Sequence, residues 1–215
     1  MKILVACEFS GRVREAFKKQ GHEAWSCDLQ ATEIPGNHIQ GDVLQILDQG
    51  WDMMIAHPPC TRLTNSGVVW LHKRNLWEEM RTAAEFFKMF LDAPIPKICV
   101  ENPIPHKYAL EIIGRKYDQT IQPYQFGHLE TKRTCFWLKN LPPLIATSDL
   151  KKETYDLPSN QRQRLHYLPP TEDRANIRSK TYPGIAQAMA LQWGTSNIGL
   201  HTDPCYSFPL NRRTG

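Results

Sequence analysis

The stretch Trp51–Asn65, WDMMIAHPPCTRLTN, constrains this chain most, because a short apolar run breaks abruptly into His57-Pro58-Pro59-Cys60. Met53, Met54, Ile55 and Ala56 have the continuous apolar character of a strand buried in a parallel sheet. Two successive prolines cannot donate to a ladder, so the chain leaves the sheet there. Cys60 is thereby placed just past a strand's carboxyl end, where open α/β sheets gather ligands and chemistry. On a stiff, proline-braced loop a cysteine is a candidate nucleophile. A small buried residue that fills a gap would read the same way.

The rest of the chain supplies an alternating pattern around that strand. Lys2–Cys7 is a continuous apolar run, a first buried strand; Arg12–Gln20 has Val13, Ala16 and Phe17 at helical spacing, and Gly21 closes it as a C-terminal cap would. Between them Glu8-Phe9-Ser10-Gly11 is a tight turn facing a helix start, able to take a small anionic group or to serve as an ordinary connection. Glu23–Cys27 reads as a second strand ending at Asp28, a position from which a carboxylate accepts hydrogen bonds from ribose hydroxyls, although a solvated loop carboxylate looks alike.

Ala31–Gln40 reads as a polar loop, and Asp42, in Gly41-Asp42-Val43, starts a helix or binds the same ligand. Asn75–Leu91 carries the longest helical pattern, with Leu76, Met80, Ala83, Ala84, Phe87 and Leu91 stepping by three and four, and Pro94 and Pro96 end it. Lys97–Val100 is the next buried strand and runs straight into Glu101-Asn102-Pro103. Consecutive strands of a β-α-β unit are usually neighbours, which would set Glu101 near Cys60. A helix near Lys107–Gly114, strands at Tyr117–Gln122 and Thr134–Lys139, and a final helix at Pro183–Trp193 complete a Rossmann-like, doubly wound, mostly parallel α/β pattern.

Composition narrows the setting. With 215 residues the chain fits one α/β domain, expected over 1–194, with 141–179 as an irregular basic insertion or flap and 195–215 as a tail. A formal charge of +4 is compatible with nucleic acid or nucleotide partners without requiring them. The opening MKILVACEF is too short an apolar run for a signal-peptide core or a membrane span, so a cytoplasmic protein with no membrane partner is expected. Six cysteines are scattered singly, expected as thiols; His57 and Cys60 have no companion ligand pair, so no metal is expected.

Collected in order, Phe9-Ser10-Gly11, Asp28, Gly41-Asp42, Pro58-Pro59-Cys60 and Glu101-Asn102-Pro103 resemble the motif series of the DNA cytosine-5 methyltransferases. Downstream, Gln125-Phe126-Gly127 with Glu130-Thr131-Lys132-Arg133 looks like that family's basic hairpin motif, and the likeness runs over about Lys2–Trp193. It implies S-adenosylmethionine as cofactor, with Phe9, Ser10, Gly11 and Pro58 around its methionine end, Asp28 on the ribose and Asp42 at the adenine. It implies Cys60 as the thiolate that adds to carbon 6 of cytosine, Glu101 at ring nitrogen 3, and Arg133 or Lys132 on the carbonyl at carbon 2. Asn102 and Arg62 are implied near the substrate, which is DNA or a cytosine nucleotide.

The chain departs from the family at Val13, Pro103, Glu130 and Arg62. Its segment Leu141–Ser179 is short against the roughly 1,000 Å² of a specific duplex interface. A specificity subunit, single-stranded DNA or a free nucleotide are therefore open, as are an amino-group methyltransferase, suggested by the two prolines, and a binding protein of the same fold without turnover.

Overall fold

A computed structural model describes residues 1–195; of the tail expected over 195–215, residues 196–215 lie outside the described part. Seven strands form one sheet in the order β3-β2-β1-β4-β5-β7-β6. They are β1 (Lys2–Ala6), β2 (Glu23–Asp28), β3 (His38–Gln40), β4 (Met53–Ala56), β5 (Lys97–Pro103), β6 (Gln119–Ile121) and β7 (Thr134–Lys139). The first five run parallel, while β7 is antiparallel to both β5 and β6. This is a Rossmann-like, doubly wound, mostly parallel sheet with one reversed strand near its edge.

The apolar runs that mark β1 and β4 are continuous because helices cover both faces. Along β1, Ile3 and Val5 enter one core, with α1 (Arg12–Lys19) and α8 (Pro183–Trp193), while Leu4 and Ala6 enter the other, with α3 (Trp77–Leu91) and α4 (Lys107–Ile113). In that second core Phe87 meets Trp137 edge-on at 4.8 Å, a pairing worth about 0.5–1.5 kcal/mol beyond the area it buries.

Several elements differ from what the sequence suggests. The polar loop 31–40 contains β3, a three-residue strand too short to show periodicity, paired Ser26 to His38. The helix expected from Asn75 begins at Trp77, because Asn75 adopts a left-handed backbone (φ 51°) and terminates a separate helix, α2 (Val68–Arg74). The strand expected to end at Val100 continues to Pro103, because β7 pairs with it there, Glu101 to Phe136 and Pro103 to Thr134. Pro103 is tolerated since β4 has already ended on the other side, at Ala56 opposite Val100. The expected strand Tyr117–Gln122 shrinks to β6. The stretch read as irregular holds three short helices, α5 (Lys151–Asp156), α6 (Ser159–Arg162) and α7 (Arg174–Ser179).

The loop after β2 is bound by a fully buried arginine on α1. Arg14 on α1 donates to Ser26 Oγ at 2.9 Å, to Thr32 Oγ1 at 3.3 Å and to the Ile34 carbonyl, and its Nε meets Glu15 at 2.9 Å. Gly11, at φ 71°, passes so close that a Cβ there would lie 2.7 Å from the guanidinium. Gly11→Ala therefore combines a left-handed backbone with a clash against a side chain that cannot retreat. It should lower stability by about 2–4 kcal/mol, read as a lower urea midpoint at unchanged slope.

Candidate active site

Register gathers the polar strand ends. Ala6 lies opposite both Cys27 and Ala56, and Ala56 opposite Val100, so the ends of β1, β2 and β4 and the Val100–Glu101 step of the longer β5 lie at one height along one edge. Glu8–Gly11, Asp28, Cys60 and Glu101 converge there, and Asp42 joins them because Asp28 pairs with Gln40 at the end of β3.

The turn after β1 already has its anion. Glu8 is buried, and its carboxylate accepts from the Val13 and Arg14 amides at 2.7 and 3.3 Å and from Ser10 Oγ at 3.1 Å. The free N–H groups of α1 that a foreign anionic group would need are thus filled from within the chain, which corrects that reading of the turn. Ser10 is buried in this arrangement, Phe9 is nearly so, and Gly11 provides the left-handed entry to the helix. Asp28 is half-buried and takes the Gln30 amide on Oδ1 at 2.9 Å. Asp42 is exposed and caps a single 3-10 turn through Leu44 at 3.0 Å, so it starts a helix and keeps its second oxygen free.

Around Cys60 the charges are closely set. His57 Nδ1 and Glu101 Oε1 are 3.0 Å apart with both side chains largely buried. The ring N–H is poorly aimed at that oxygen, so charge holds the pair more than an aligned hydrogen bond does, and Nε2 is buried without a partner among the described residues. Burial pushes the imidazole down, but the Glu101 charge and contact outweigh it and hold His57 above its ordinary value. Burial likewise pushes the Glu101 carboxyl up, and His57 together with Lys132 brings it below the usual carboxylate range. Each partner thus favours the charged form of the other against the cost of its own burial.

Cys60 is half-buried, and burial raises its thiol above the ordinary value; Lys132 and Arg178 pull it down while Glu101 adds to the rise. A thiol already lowered, as expected of an activated nucleophile, is not what this state contains. Of the two candidate cations, Lys132 is the one whose charge reaches Cys60, His57 and Glu101. Arg133 is exposed and acts only on Cys135, away from this group. Pro58 is buried beneath the loop and Pro59 is exposed.

His106 pins the Cys60 loop, a role the sequence does not advertise because histidine is an unusual helix cap. Its Nδ1 accepts the Ala109 amide at 3.1 Å, capping α4, which leaves the proton on Nε2 to donate to the Arg62 carbonyl at 2.8 Å. The His106 amide donates to Leu63 O at 3.0 Å, and the Asn65 amide to Ile104 O at 2.9 Å. The Arg62 side chain, in contrast, turns to α3 and pairs with Glu79 at 2.7 Å. Neighbouring strand residues face opposite sides, so Asn102 points away from Glu101; it is buried, its Nδ2 reaching Pro103 O at 2.6 Å and its Oδ1 unpartnered.

A small crevice of about 10 Å³ lies beside His57, walled by Cys7–Ser10 on one side and by Ser179–Thr181 on the other. Residues Arg174–Thr181 form a strap across it. The Asn176 amide reaches Gln30 Oε1 at 3.3 Å, Lys180 pairs with Glu33 at 2.7 Å, Lys132 Nζ donates to the Arg178 carbonyl at 2.8 Å, and Arg12 donates to the Thr181 carbonyl at 3.0 Å. Glu130 accepts from Tyr182 Oη at 2.9 Å and from Arg164 at 3.0 Å, joining the segment before β7 to the middle of the 141–179 stretch and to the residue that precedes α8. A larger, open hollow at Asp149–Tyr155 touches none of these groups. Among the described residues there is no cluster of three metal-ligating side chains, and no helix is long and apolar enough to cross a membrane.

No family model and no curated protein matches the chain in sequence. Among solved structures it is similar to an E. coli protein described as a "putative DNA modification methyltransferase encoded within prophage", at 13% identity and a TM-score of 0.42, over 73% of this chain. The match spans 55% of that protein's length, so this chain accounts for about half of it.

Proposed function

We propose that this chain transfers a methyl group from S-adenosylmethionine to carbon 5 of cytosine in DNA, through a covalent adduct of Cys60. The observation that carries the reading is the pairing of β4 with β5, which brings the Cys60 loop and Glu101 to one edge under the charge of Lys132. Carbon 5 of cytosine is a poor nucleophile until a bond at carbon 6 makes it enamine-like, and a thiol beside a carboxylate supplies that activation.

S-adenosylmethionine fits this edge by the chemistry of its donors: Asp28 and Asp42 each keep an oxygen free for hydroxyl and amino groups, and Phe9 and Ser10 line the crevice beside His57, with Gly11 and Pro58 assigned next to them. Bound there, it supplies an electrophilic methyl group. The crevice has room for only about 10 Å³, far below the ~300–1,000 Å³ of small-molecule sites, so entry requires the 174–181 strap to swing away. In the reaction Cys60 Sγ adds to carbon 6 and gives up its thiol proton, ring nitrogen 3 gains a proton in exchange, and the Glu101 carboxylate accepts the hydrogen bond of the N3–H that forms. With the methyl group on carbon 5, the carbon 5 and nitrogen 3 protons leave, one to the departing Cys60 thiolate and one to water, and the ring is restored. Lys132 is assigned to the carbonyl at carbon 2 and to favouring the thiolate, in preference to Arg133. The base must leave any stack to reach Cys60.

One observation favours a second reading, a binding protein of the same fold without turnover: burial leaves the Cys60 thiol raised. Methyl-labelled S-adenosylmethionine offered with duplex DNA, single-stranded DNA, RNA and free deoxycytidine nucleotides separates the two. Label in DNA is the expected result. Label only in the nucleotide pool removes DNA as substrate, and cofactor binding without label in any of the four supports the binding protein.

A further inference from the structure

Next to the Cys60 loop the chain exposes a helix face that its own fold leaves uncovered. Leu71 is the one buried residue of α2, while Val69 and Trp70 each keep 45% of their surface in solvent and His72, Lys73 and Arg74 are exposed. Arg74 and Lys73 lie against the Trp70 ring, 4.7 and 5.6 Å from its centre. Beyond them His72 and Trp77 pack on Tyr108, over which Lys107 stands at 4.9 Å. The surface thus alternates aromatic rings with cations.

The charges there are unspent. Arg62 and Arg81 close by are neutralised by Glu79 and Glu78, whereas Lys73, Arg74 and Lys107 pair with no carboxylate among the described residues. Cations in a last helical turn stabilise the helix dipole by about 0.3–1 kcal/mol, which gives Lys73 and Arg74 a local role but none to the exposed Trp70. The position is also fixed relative to the chemistry. Helix α2 follows Cys60 through a turn tied to the sheet edge by Asn65 N–H to Ile104 O at 2.9 Å and by the bridge between Thr64 and Pro105.

We infer that this face seats an unpaired DNA strand beside the target cytosine, a base stacking on Trp70 and flanking phosphates meeting Lys73, Arg74 and Lys107. The inference deepens the proposed function and rests on it for the choice of DNA. Aromatic rings interleaved with cations match single strands, whose bases offer free π-faces that a duplex keeps within its own stack. A duplex reader would need roughly 1,000 Å² of recognition surface, for which Leu141–Ser179 is short. Part of that stretch is spent instead as the strap over the crevice.

The test is binding without turnover: fluorescence anisotropy of a labelled single-stranded DNA titrated with the full chain at several salt concentrations, beside a blunt duplex and an RNA of the same sequence. The single-stranded DNA should bind tightest. Trp70→Ala should weaken it by about 10-fold or more, the scale of one base–aromatic stack. The double variant Lys73→Gln/Arg74→Gln should flatten the dependence of log K on log salt by about 0.7 per lost phosphate contact. Unchanged affinity and slope in both variants, a duplex bound equally well, a preference for RNA, or no binding at all would each overturn the inference. Label transfer failing while strand binding persists counts against the chemistry alone; unchanged binding in the variants with label still transferred counts against this surface alone.

Discussion

Cys60→Ala should abolish methyl transfer while leaving the fold intact, a loss on the order of 10⁴-fold or more, as deletions of covalent nucleophiles produce elsewhere. The separation of activity from stability is what makes the result informative. Cys60 is half-buried and makes no side-chain hydrogen bond, and its loop is held by backbone contacts and by His106. Removing one sulfur atom there should shift the urea midpoint by less than the equivalent of about 1 kcal/mol. Retained methyl transfer in the alanine variant would end the covalent mechanism, and with it the cytosine-5 assignment. The raised thiol of the ligand-free site adds a second readout. If Lys132 and Arg178 activate Cys60 once substrate excludes water, its pH-dependent alkylation should shift to lower pH with substrate analogue bound, since both already pull in that direction.

Glu101→Gln should cost about 10²–10⁴ in kcat, the usual range for a lost acid–base partner, and its companion His57 should reveal itself through pH. In the folded protein Glu101 is depressed and His57 raised, each against its own burial. The depressed carboxylate contributes stability above its unfolded value, and that contribution is lost as pH falls through its folded value. The raised imidazole contributes below its unfolded value and loses it as pH rises through its folded value. The pair is therefore strongest between the ordinary carboxylate and ordinary imidazole ranges and weakens on either side. His57→Gln removes the charge that keeps Glu101 ionised, and burial then drives the carboxyl up. The acid limb of the kcat/KM profile should move to higher pH, and the stability maximum in that window should flatten. An acid limb that stays in place would show that Glu101 does not depend on His57.

The residues whose roles were legible from sequence are those set by local chemistry. The prolines after Ala56 force the chain out of the sheet, the apolar runs of β1, β4 and β5 announce burial on both faces, and α8 begins at its proline as expected. Cys60 was placed past the end of β4 because a break in an apolar run is visible without knowing what lies alongside; Glu101 was placed past a strand end at Val100, whereas β5 continues to Pro103 because β7 pairs with it there. The short elements β3, α2, α5, α6 and α7 were not visible, since they lack an apolar run, are too short for a period to emerge and owe their existence to neighbours. The partners were hidden for a different reason. Glu8 closing the N-terminus of α1, Arg14 bolting the 30s loop, His57 against Glu101 and His106 gripping Arg62 all join residues that are distant in sequence or play parts their type does not advertise.

Choice between equivalent candidates likewise waited for space. Lys132 and Arg133 are adjacent and equally charged, and only the path of the chain into β7 decides that Lys132 reaches the Arg178 carbonyl, with its charge felt at Cys60, while Arg133 is exposed. The sequence by itself determined the doubly wound fold and the chemical types gathered at the strand ends, because backbone hydrogen bonding and apolar burial are read from neighbours along the chain. Tertiary structure alone decided which charges meet, what fills the turn after β1 and what lies across the crevice, because desolvation and Coulomb energy depend on distances between residues that the chain order leaves free.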